Sequence, residues 1–252
     1  MKFTFKKIKE SLPANYNAES SWWVKLWVRK ASFLLTWFFI NLGFSSNAVT
    51  AVSIFVTLAA CVFYAIPSTW ALITAVITIN LWLVLDCVDG NIARCIKQKK
   101  LYGSFIDAVG GYYTVGFIYL AIGIAAYNNG GIIVGKSNMW ILIAGAVSSI
   151  SDILARLIYT NYCSILRKDE VDGISEEKKK QQEKYSLNWL RKRVGREFGI
   201  SGFFMLFTII GAFFNCNDLL TIFYLLFNGF ALLSTTIIYF LKANNYDKSL
   251  NN

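Results

Sequence analysis

Six apolar segments, each near the length of a membrane-spanning helix, constrain the fold of this 252-residue chain more than any other feature. They are Asn47–Ile66, Thr69–Asp89, Ser104–Tyr127, Ser137–Tyr159, Phe198–Phe214 and Leu219–Leu241. A helix of about 20 apolar residues crosses a hydrocarbon layer of about 30 Å. With only 2 prolines and 16% charged residues, segments of this length are helices rather than barrel strands. The sequence therefore predicts an all-α polytopic membrane protein with six transmembrane helices.

The basic residues predict the orientation of these helices. Of the 25 Lys and Arg residues, 23 fall in segments that six spans place on one side of the membrane, 10 of them in the link 167–196. The links on the opposite side contain only Lys136. Basic loops stay in the cytoplasm, so both termini are expected there. The same distribution explains the net charge of +10 and gives no reason to expect nucleic-acid binding.

An amphipathic segment precedes the first span. It interleaves four tryptophans with three basic residues: Trp22, Trp23, Lys25, Trp27, Arg29, Lys30 and Trp37. This pattern is typical of a helix that lies in the membrane interface. A seventh span is the competing interpretation, although it would break the charge asymmetry. We expect a cytoplasmic N-terminus with an interfacial helix over residues 1–46, a membrane domain over 47–241 and a cytoplasmic tail over 242–252.

The residue types that are absent exclude several kinds of chemistry. The chain contains no His, which excludes Ser-His-Asp catalysis, His-ligated zinc and a histidine proton shuttle. Its 5 cysteines include no C-x-x-C pair and give no sign of a redox or metal site.

Three carboxylates are predicted to meet at one membrane depth. Asp86 and Asp89 are three residues apart at the cytoplasmic end of the second span, and Asp107 lies at the start of the third. Ionisable groups within spans are costly and are usually functional. Oxygen ligands without His or Cys suit a hard divalent cation, and Mg²⁺ commonly binds a few carboxylates together with substrate phosphates. The alternative is a structural pairing of these carboxylates with Arg94 and nearby lysines.

Small residues and one arginine surround the carboxylates. Gly90, Ala93 and Gly103 let backbones and a ligand approach closely, and the forked guanidinium of Arg94 suits a phosphate. The residues therefore predict a site for a metal ion with a phosphate or pyrophosphate.

The stretch from Asp86 to Gly111 resembles the signature of the CDP-alcohol phosphotransferases (CDP-alcohol phosphatidyltransferases), D-x2-D-G-x2-A-R-x8-G-x3-D-x3-D. Asn47 and Thr50 similarly match the P-N-x-x-T element of this family, with Ser46 in place of Pro. The last Asp of the signature is replaced by Gly111. In the family the first three aspartates bind metal, and the fourth is the proposed base that deprotonates the acceptor hydroxyl.

The resemblance implies transfer of a substituted phosphoryl group from a CDP-alcohol to an acceptor, with release of CMP, in phospholipid or surface phosphoglycan synthesis. It implies Asp86, Asp89 and Asp107 as ligands of Mg²⁺ or Mn²⁺. Donor-binding residues would be Asn47, Thr50, Gly90, Ala93, Arg94, Lys100 and Gly103. The resemblance also implies a lipid or glycan acceptor and a homodimer. We further expect a multi-pass location in the cell (inner) membrane, with the active site facing the cytoplasm.

Gly111 leaves the catalytic base unknown, with three accounts open. The base comes from elsewhere, or the acceptor is already ionised, as a phosphate is, or the protein is catalytically impaired and binds a CDP-alcohol. A transporter is the alternative from another class, favoured by Asp152 and Arg156 within the fourth span. These two residues form either an internal salt bridge or a binding site for an anionic acceptor.

Overall fold

The fold, seen in a computed structural model, is a bundle of long helices. The structure describes residues 3–13, 16, 20–97, 101–171 and 193–250. The main helices within these ranges are α1 (Phe5–Glu10), α2 (Arg29–Asn41), α3 (Ser46–Ala65), α4 (Thr69–Cys95), α5 (Leu101–Asn129), α6 (Met139–Val171), α7 (Phe203–Phe213) and α8 (Asn217–Leu250). The described ranges contain no strand.

Six described helices are long and apolar enough to cross a membrane, which confirms the predicted number of spans. They are α3 to α6, the segment Arg193–Phe213 that includes α7, and α8. The bounds of α4 differ from the prediction, since the helix continues past Asp89 to Cys95. The entire stretch from Asp86 to Arg94 is therefore helical, Gly90 included.

The segment before α3 forms a separate helix against the bundle. A π-helical turn at Val24–Val28 leads into α2, which packs on α4. Ser32 and Thr36 are buried on this helix, whereas Leu34 and Phe38 are exposed. An outward apolar face fits the predicted interfacial helix, and this helix is not among the six long enough to span.

Two groups of helices meet at α5. On one side α3 packs against both α4 and α5, and on the other α5 packs against α6 and α8. A glycine pair brings α5 and α6 close, because a Cβ on Gly123 would lie 3.1 Å from the Cα of Gly145. The first group places the start of α3, the end of α4 and the start of α5 at one end of the bundle, called here the motif end.

Candidate functional site

A cleft of about 140 Å³ opens at the motif end, between α3, α4 and α5. Its lining residues are Ser46, Asn47, Thr50, Asp89, Gly90, Ala93, Gly103, Ser104 and Asp107. Seven of these nine were predicted as metal or donor ligands from the sequence. The start of α3, the end of α4 and the start of α5 thus bring these seven residues into one cavity, whereas the predicted Asp86 and Arg94 lie outside its lining.

Asp89 is the buried carboxylate of the cleft, with 5% of its surface exposed. The Thr50 hydroxyl donates a hydrogen bond to its Oδ2 at 2.6 Å, and the Ser46 hydroxyl donates to its backbone carbonyl at 3.0 Å. Both donors come from the first turns of α3. These bonds join α3 to α4 and fix one oxygen of the Asp89 carboxylate, while the other oxygen accepts no side-chain hydrogen bond from a described residue.

Two glycines keep the walls of the cleft close to polar atoms. A Cβ on Gly103 would lie 3.2 Å from Oδ1 of Asn47, and one on Gly90 would lie 3.2 Å from Nη1 of Arg94. Larger residues would push these polar side chains away. The motif glycines therefore preserve the positions of Asn47 and Arg94, as well as space for a ligand.

The other two carboxylates approach Asp89 without hydrogen-bond partners of their own. Asp107 is exposed and lines the cleft, whereas Asp86 lies one turn before Asp89 on α4 and outside the lining. The charges of Asp107 and Asp89 both interact with that of Asp86. Among the described residues, neither Asp86 nor Asp107 accepts a hydrogen bond. Three like charges with so few donors require a cation when ionised.

The donor set fits a hard divalent cation, since all three groups are carboxylates. As they stand, however, no three His, Cys, Asp or Glu side chains within the described ranges are grouped closely enough to hold a metal ion. The carboxylate chemistry of Asp86, Asp89 and Asp107 suits the predicted magnesium site, but the placement of the described side chains does not form one, and the site stays a prediction.

Arg94 stands at the rim of the cleft rather than in its lining. It is exposed, and its guanidinium turns back along α4 over Gly90. Its Nη1 donates to Oδ1 of Asn91 at 3.4 Å. The ring of Tyr16, from the segment before α2, lies 4.8 Å from Cζ of Arg94. Arg94, the residue predicted to bind a phosphate, therefore contacts a part of the chain that is remote in sequence.

Tyr16 and Arg29 were not among the predicted site residues. Arg29 stacks on the Tyr16 ring with Cζ 3.5 Å from its centroid, and its charge reaches Asp86. The Tyr16 hydroxyl donates to Oδ1 of Asn91. Burial raises the pKa of the Tyr16 phenol above its usual value, although Arg29 and Arg94 act in the opposite direction. The phenol therefore stays protonated and able to donate at neutral pH.

Ser46 and Ser104 were also missed as lining residues. Ser46 occupies the position of the Pro in the resembled P-N-x-x-T element, which was read only as a departure from the pattern. Ser104 lies three residues before Asp107, so helical periodicity alone could have placed it on the same face. For the contact of Tyr16 with α4 no sequence signal existed, since 75 residues separate Tyr16 from Asn91.

The position of the missing carboxylate is open space. A Cβ built on Gly111 meets no atom within 4 Å. Gly111 follows Asp107 by one turn of α5, on the same side of the helix. Among the residues that the structure describes, none fills this place, so there is room for an aspartate at position 111.

Asp152 and Arg156 form the internal salt bridge that was one of the two predicted interpretations. Nε of Arg156 lies 2.8 Å from Oδ1 of Asp152, and the Tyr119 hydroxyl donates to Oδ2 at 3.4 Å. The pair does not line the cleft, yet the Arg156 side chain is 43% exposed. Lys100 and residues 172–192 of the basic link lie outside the described residues.

Comparison with known proteins identifies a family whose sequence model matches this chain. The sequence model of that family, described as CDP-alcohol phosphatidyltransferase, matches residues 44–181, more than half of the chain. The match includes α3, α4 and α5, which form the cleft, and all of α6. No curated protein matches the chain.

Proposed function

Since the chain belongs to the CDP-alcohol phosphatidyltransferase family, we propose that it transfers the substituted phosphoryl group of a CDP-alcohol to an acceptor and releases CMP. An acceptor oxygen attacks the phosphorus that carries the alcohol, and the bond from this phosphorus to CMP breaks. The products then enter phospholipid or surface phosphoglycan synthesis. The observation that carries this proposal is the single cleft shared by Asp89, Asp107, Asn47 and Thr50.

Asp86, Asp89 and Asp107 are the residues that would hold Mg²⁺ or Mn²⁺ in this proposal. When bound, such a cation neutralises charge on the donor pyrophosphate, which is the main requirement of phosphoryl transfer. The Thr50 hydroxyl orients the Asp89 carboxylate through its 2.6 Å hydrogen bond. The family use of divalent metal and the all-oxygen donor set support this assignment.

The donor is assigned to the rest of the cleft. Arg94, at the rim, binds the pyrophosphate, and Lys100 assists it from the α4–α5 link. Asn47 contacts the nucleotide from the start of α3, and the backbone at Gly90, Ala93 and Gly103 lets the donor lie close to the helices. The 3.2 Å approach between Asn47 and the Cβ position of Gly103 supports a narrow, shaped donor site.

The acceptor is a lipid or a glycan, and an ionised group on it would remove the need for a base. Gly111 supplies no carboxylate, and the open space beside it leaves room for a bulkier acceptor. The half-exposed Arg156, held through Nε by Asp152, is assigned to the anionic part of that acceptor. The same open space favours a second candidate, a catalytically impaired protein that binds a CDP-alcohol.

The protein is assigned to the cell (inner) membrane as a homodimer, with the cleft facing the cytoplasm. The distribution of 23 basic residues on the motif side supports this orientation. In a cysteine-free background, Lys136→Cys should react with an impermeant thiol reagent added outside intact cells, and Lys97→Cys should react only after permeabilisation. The reverse pattern would overturn the orientation.

The activity is tested by CMP release from purified protein with a panel of CDP-alcohols, Mg²⁺ and lipid or glycan acceptors. Wild type should release CMP with at least one pair, and Asp107→Asn should reduce the rate below detection. Asp247→Asn makes the same change on an exposed residue of α8 outside the cleft and should leave the rate unchanged. Mg²⁺-dependent CDP binding without CMP release from any pair would support the binding role instead.

A further inference from the structure

Two guanidinium groups, those of Arg29 and Arg94, lie over the ring of Tyr16 at the rim of the cleft. Cζ of Arg29 lies 3.5 Å from the centroid of its ring, and Cζ of Arg94 lies 4.8 Å from it. Both distances are within the range of a cation–π contact. The ring thus links an arginine of α2 to the motif arginine of α4.

The ring itself is held in place from two further directions. Nη2 of Arg29 donates to the Tyr16 carbonyl at 3.4 Å and to the Ser20 hydroxyl at 2.6 Å. At the other end, the Tyr16 hydroxyl donates to Oδ1 of Asn91, whose Nδ2 donates to Thr36 at 3.2 Å. Asn91 is fully buried, so this end of the network is rigid.

Few other contacts with the described residues fix the orientation of the Arg94 side chain. Its hydrogen bond to Asn91 is long at 3.4 Å, and the side chain is exposed. A long, exposed arginine samples many rotamers, and ordering it costs entropy. The guanidinium lies against the Tyr16 ring and next to the Cβ position of Gly90, beside the cleft.

We propose that Tyr16 is a positioning residue for the donor, and that its ring holds Arg94 in the orientation that binds the pyrophosphate of a cytidine diphosphate compound. This inference rests on the proposed function. It makes the segment before α2 a part of the donor site, although that segment lies outside the family match at 44–181.

A second contact supports the docked position of this segment. The Ser11 hydroxyl lies 3.2 Å from Sγ of Cys95, near the end of α4. Ser11 and Tyr16 thus fix the segment against the last turns of α4 at two points. Docking can therefore be tested without any ligand, because Ser11→Cys should form a disulfide with the native Cys95 under mild oxidation.

The first measurement is CDP binding in the presence of Mg²⁺, by calorimetry on full-length protein in nanodiscs. Tyr16→Ala should weaken binding about tenfold, and Tyr16→Phe, which retains the ring, should stay within about threefold of wild type. Phe5→Ala is the matched control, because Phe5 stacks on Trp37 instead, with centroids 5.2 Å apart. In CMP release, Tyr16→Ala should raise KM for the donor more than it lowers kcat.

A double-mutant cycle tests whether Tyr16 acts through Arg94. In an Arg94→Gln background, Tyr16→Ala should have no further effect on CDP binding. A second tenfold loss in that background would overturn the inference, as would tighter binding by Tyr16→Ala, which would mark an inhibitory contact. An equal loss in Tyr16→Phe would also contradict it, since the ring would then not be the active element.

The two proposals fail in different ways. Absence of CDP binding by wild-type protein would overturn the proposed function, and the inference with it. Normal wild-type binding that Tyr16→Ala leaves unchanged would overturn the inference alone. Failure of Ser11→Cys to crosslink to Cys95 would show that the segment is not docked. That result would reject the inference regardless of the outcome of the CDP-binding measurements.

Discussion

The aspartates at the two ends of the bundle differ in the hydrogen-bond donors that surround them. At the end away from the motif, Asp218 of α8 accepts hydrogen bonds from the backbone N–H groups of Ile133 and Val134 at 2.7 and 2.9 Å. At the motif end, Asp86 and Asp107 accept none from the described residues, and the Asp89 side chain accepts one from a side chain, that of Thr50. Oδ2 of Asp218 thus has two backbone donors, whereas the three carboxylates of the motif end have one side-chain donor between them, Thr50, among the described residues.

The difference separates a carboxylate with a structural role from the three that we propose as functional. Asp218 is fully buried and secures the loop between α5 and α6, where even a Cβ on Gly131 would overlap it. Charge that is buried beside its donors adds to stability. Neighbouring carboxylates with few donors instead repel one another when ionised, until a cation or ligand binds. This contrast supports the proposal that the carboxylates of the motif end belong to a binding site.

The largest effects should come from the same substitution made at both ends. Asp86→Asn should abolish CMP release and, without divalent cations, stabilise the protein by about 1 kcal/mol, because one of three clustered charges is removed. Asp218→Asn should lower stability by about 2 kcal/mol, since two charge-assisted hydrogen bonds become neutral ones, and should retain CMP release.

Thermal unfolding with and without Mg²⁺ measures this contrast. Mg²⁺ should raise the midpoint of wild type and of Asp218→Asn through preferential binding to the folded state, and should leave Asp86→Asn unmoved. Destabilisation of metal-free protein by Asp86→Asn would show that the carboxylates of the motif end are structural as well.

The next effect concerns the carboxylate that the motif end lacks. Gly111→Asp fits the open space and should raise CMP release with a hydroxyl acceptor by about 10² to 10⁴-fold if the missing base limits the rate. With an anionic acceptor it should give no gain, because a new carboxylate repels it. Gly111→Asn is the control of equal size. A gain with hydroxyl acceptors alone would reject the ionised-acceptor account.

Much of this arrangement could be predicted from the sequence. The six spans follow from hydropathy, which depends on composition rather than on packing. The cleft residues Asp89, Gly90 and Ala93 follow from helical periodicity, since residues three and four apart share a face. Asn47 and Thr50 came only from the family resemblance, because nothing in the first span alone indicates that it meets the second and third at that point.

The contacts of the segment before α3 could not be predicted. Arg29 and Trp23 were read as interfacial residues, and the structure turns both inward, Arg29 towards Tyr16 and Trp23 Nε1 towards Asn80 at 3.3 Å. An amphipathic pattern predicts that a helix lies at an interface, but it does not specify which neighbour covers each position. Asp152 and Arg156 were ambiguous for a related reason, because a salt bridge and a ligand site have the same sequence spacing.

The smallest effect should come from the one side chain that supports a carboxylate at the motif end. Thr50→Val removes the hydroxyl that donates to Asp89 and should raise the Mg²⁺ concentration for half-maximal CMP release by about tenfold, as loss of a group that orients a metal ligand does. Thr50→Ser keeps the hydroxyl and should restore the wild-type value. Thr57→Val is the matched control, because Thr57 lies two turns further along α3 and contacts Thr114 instead, with hydroxyl oxygens 3.2 Å apart. If Thr57→Val shifts the Mg²⁺ requirement as much as Thr50→Val does, the effect reflects packing of α3, and Asp89 would resemble Asp218 more than its neighbours in the cleft.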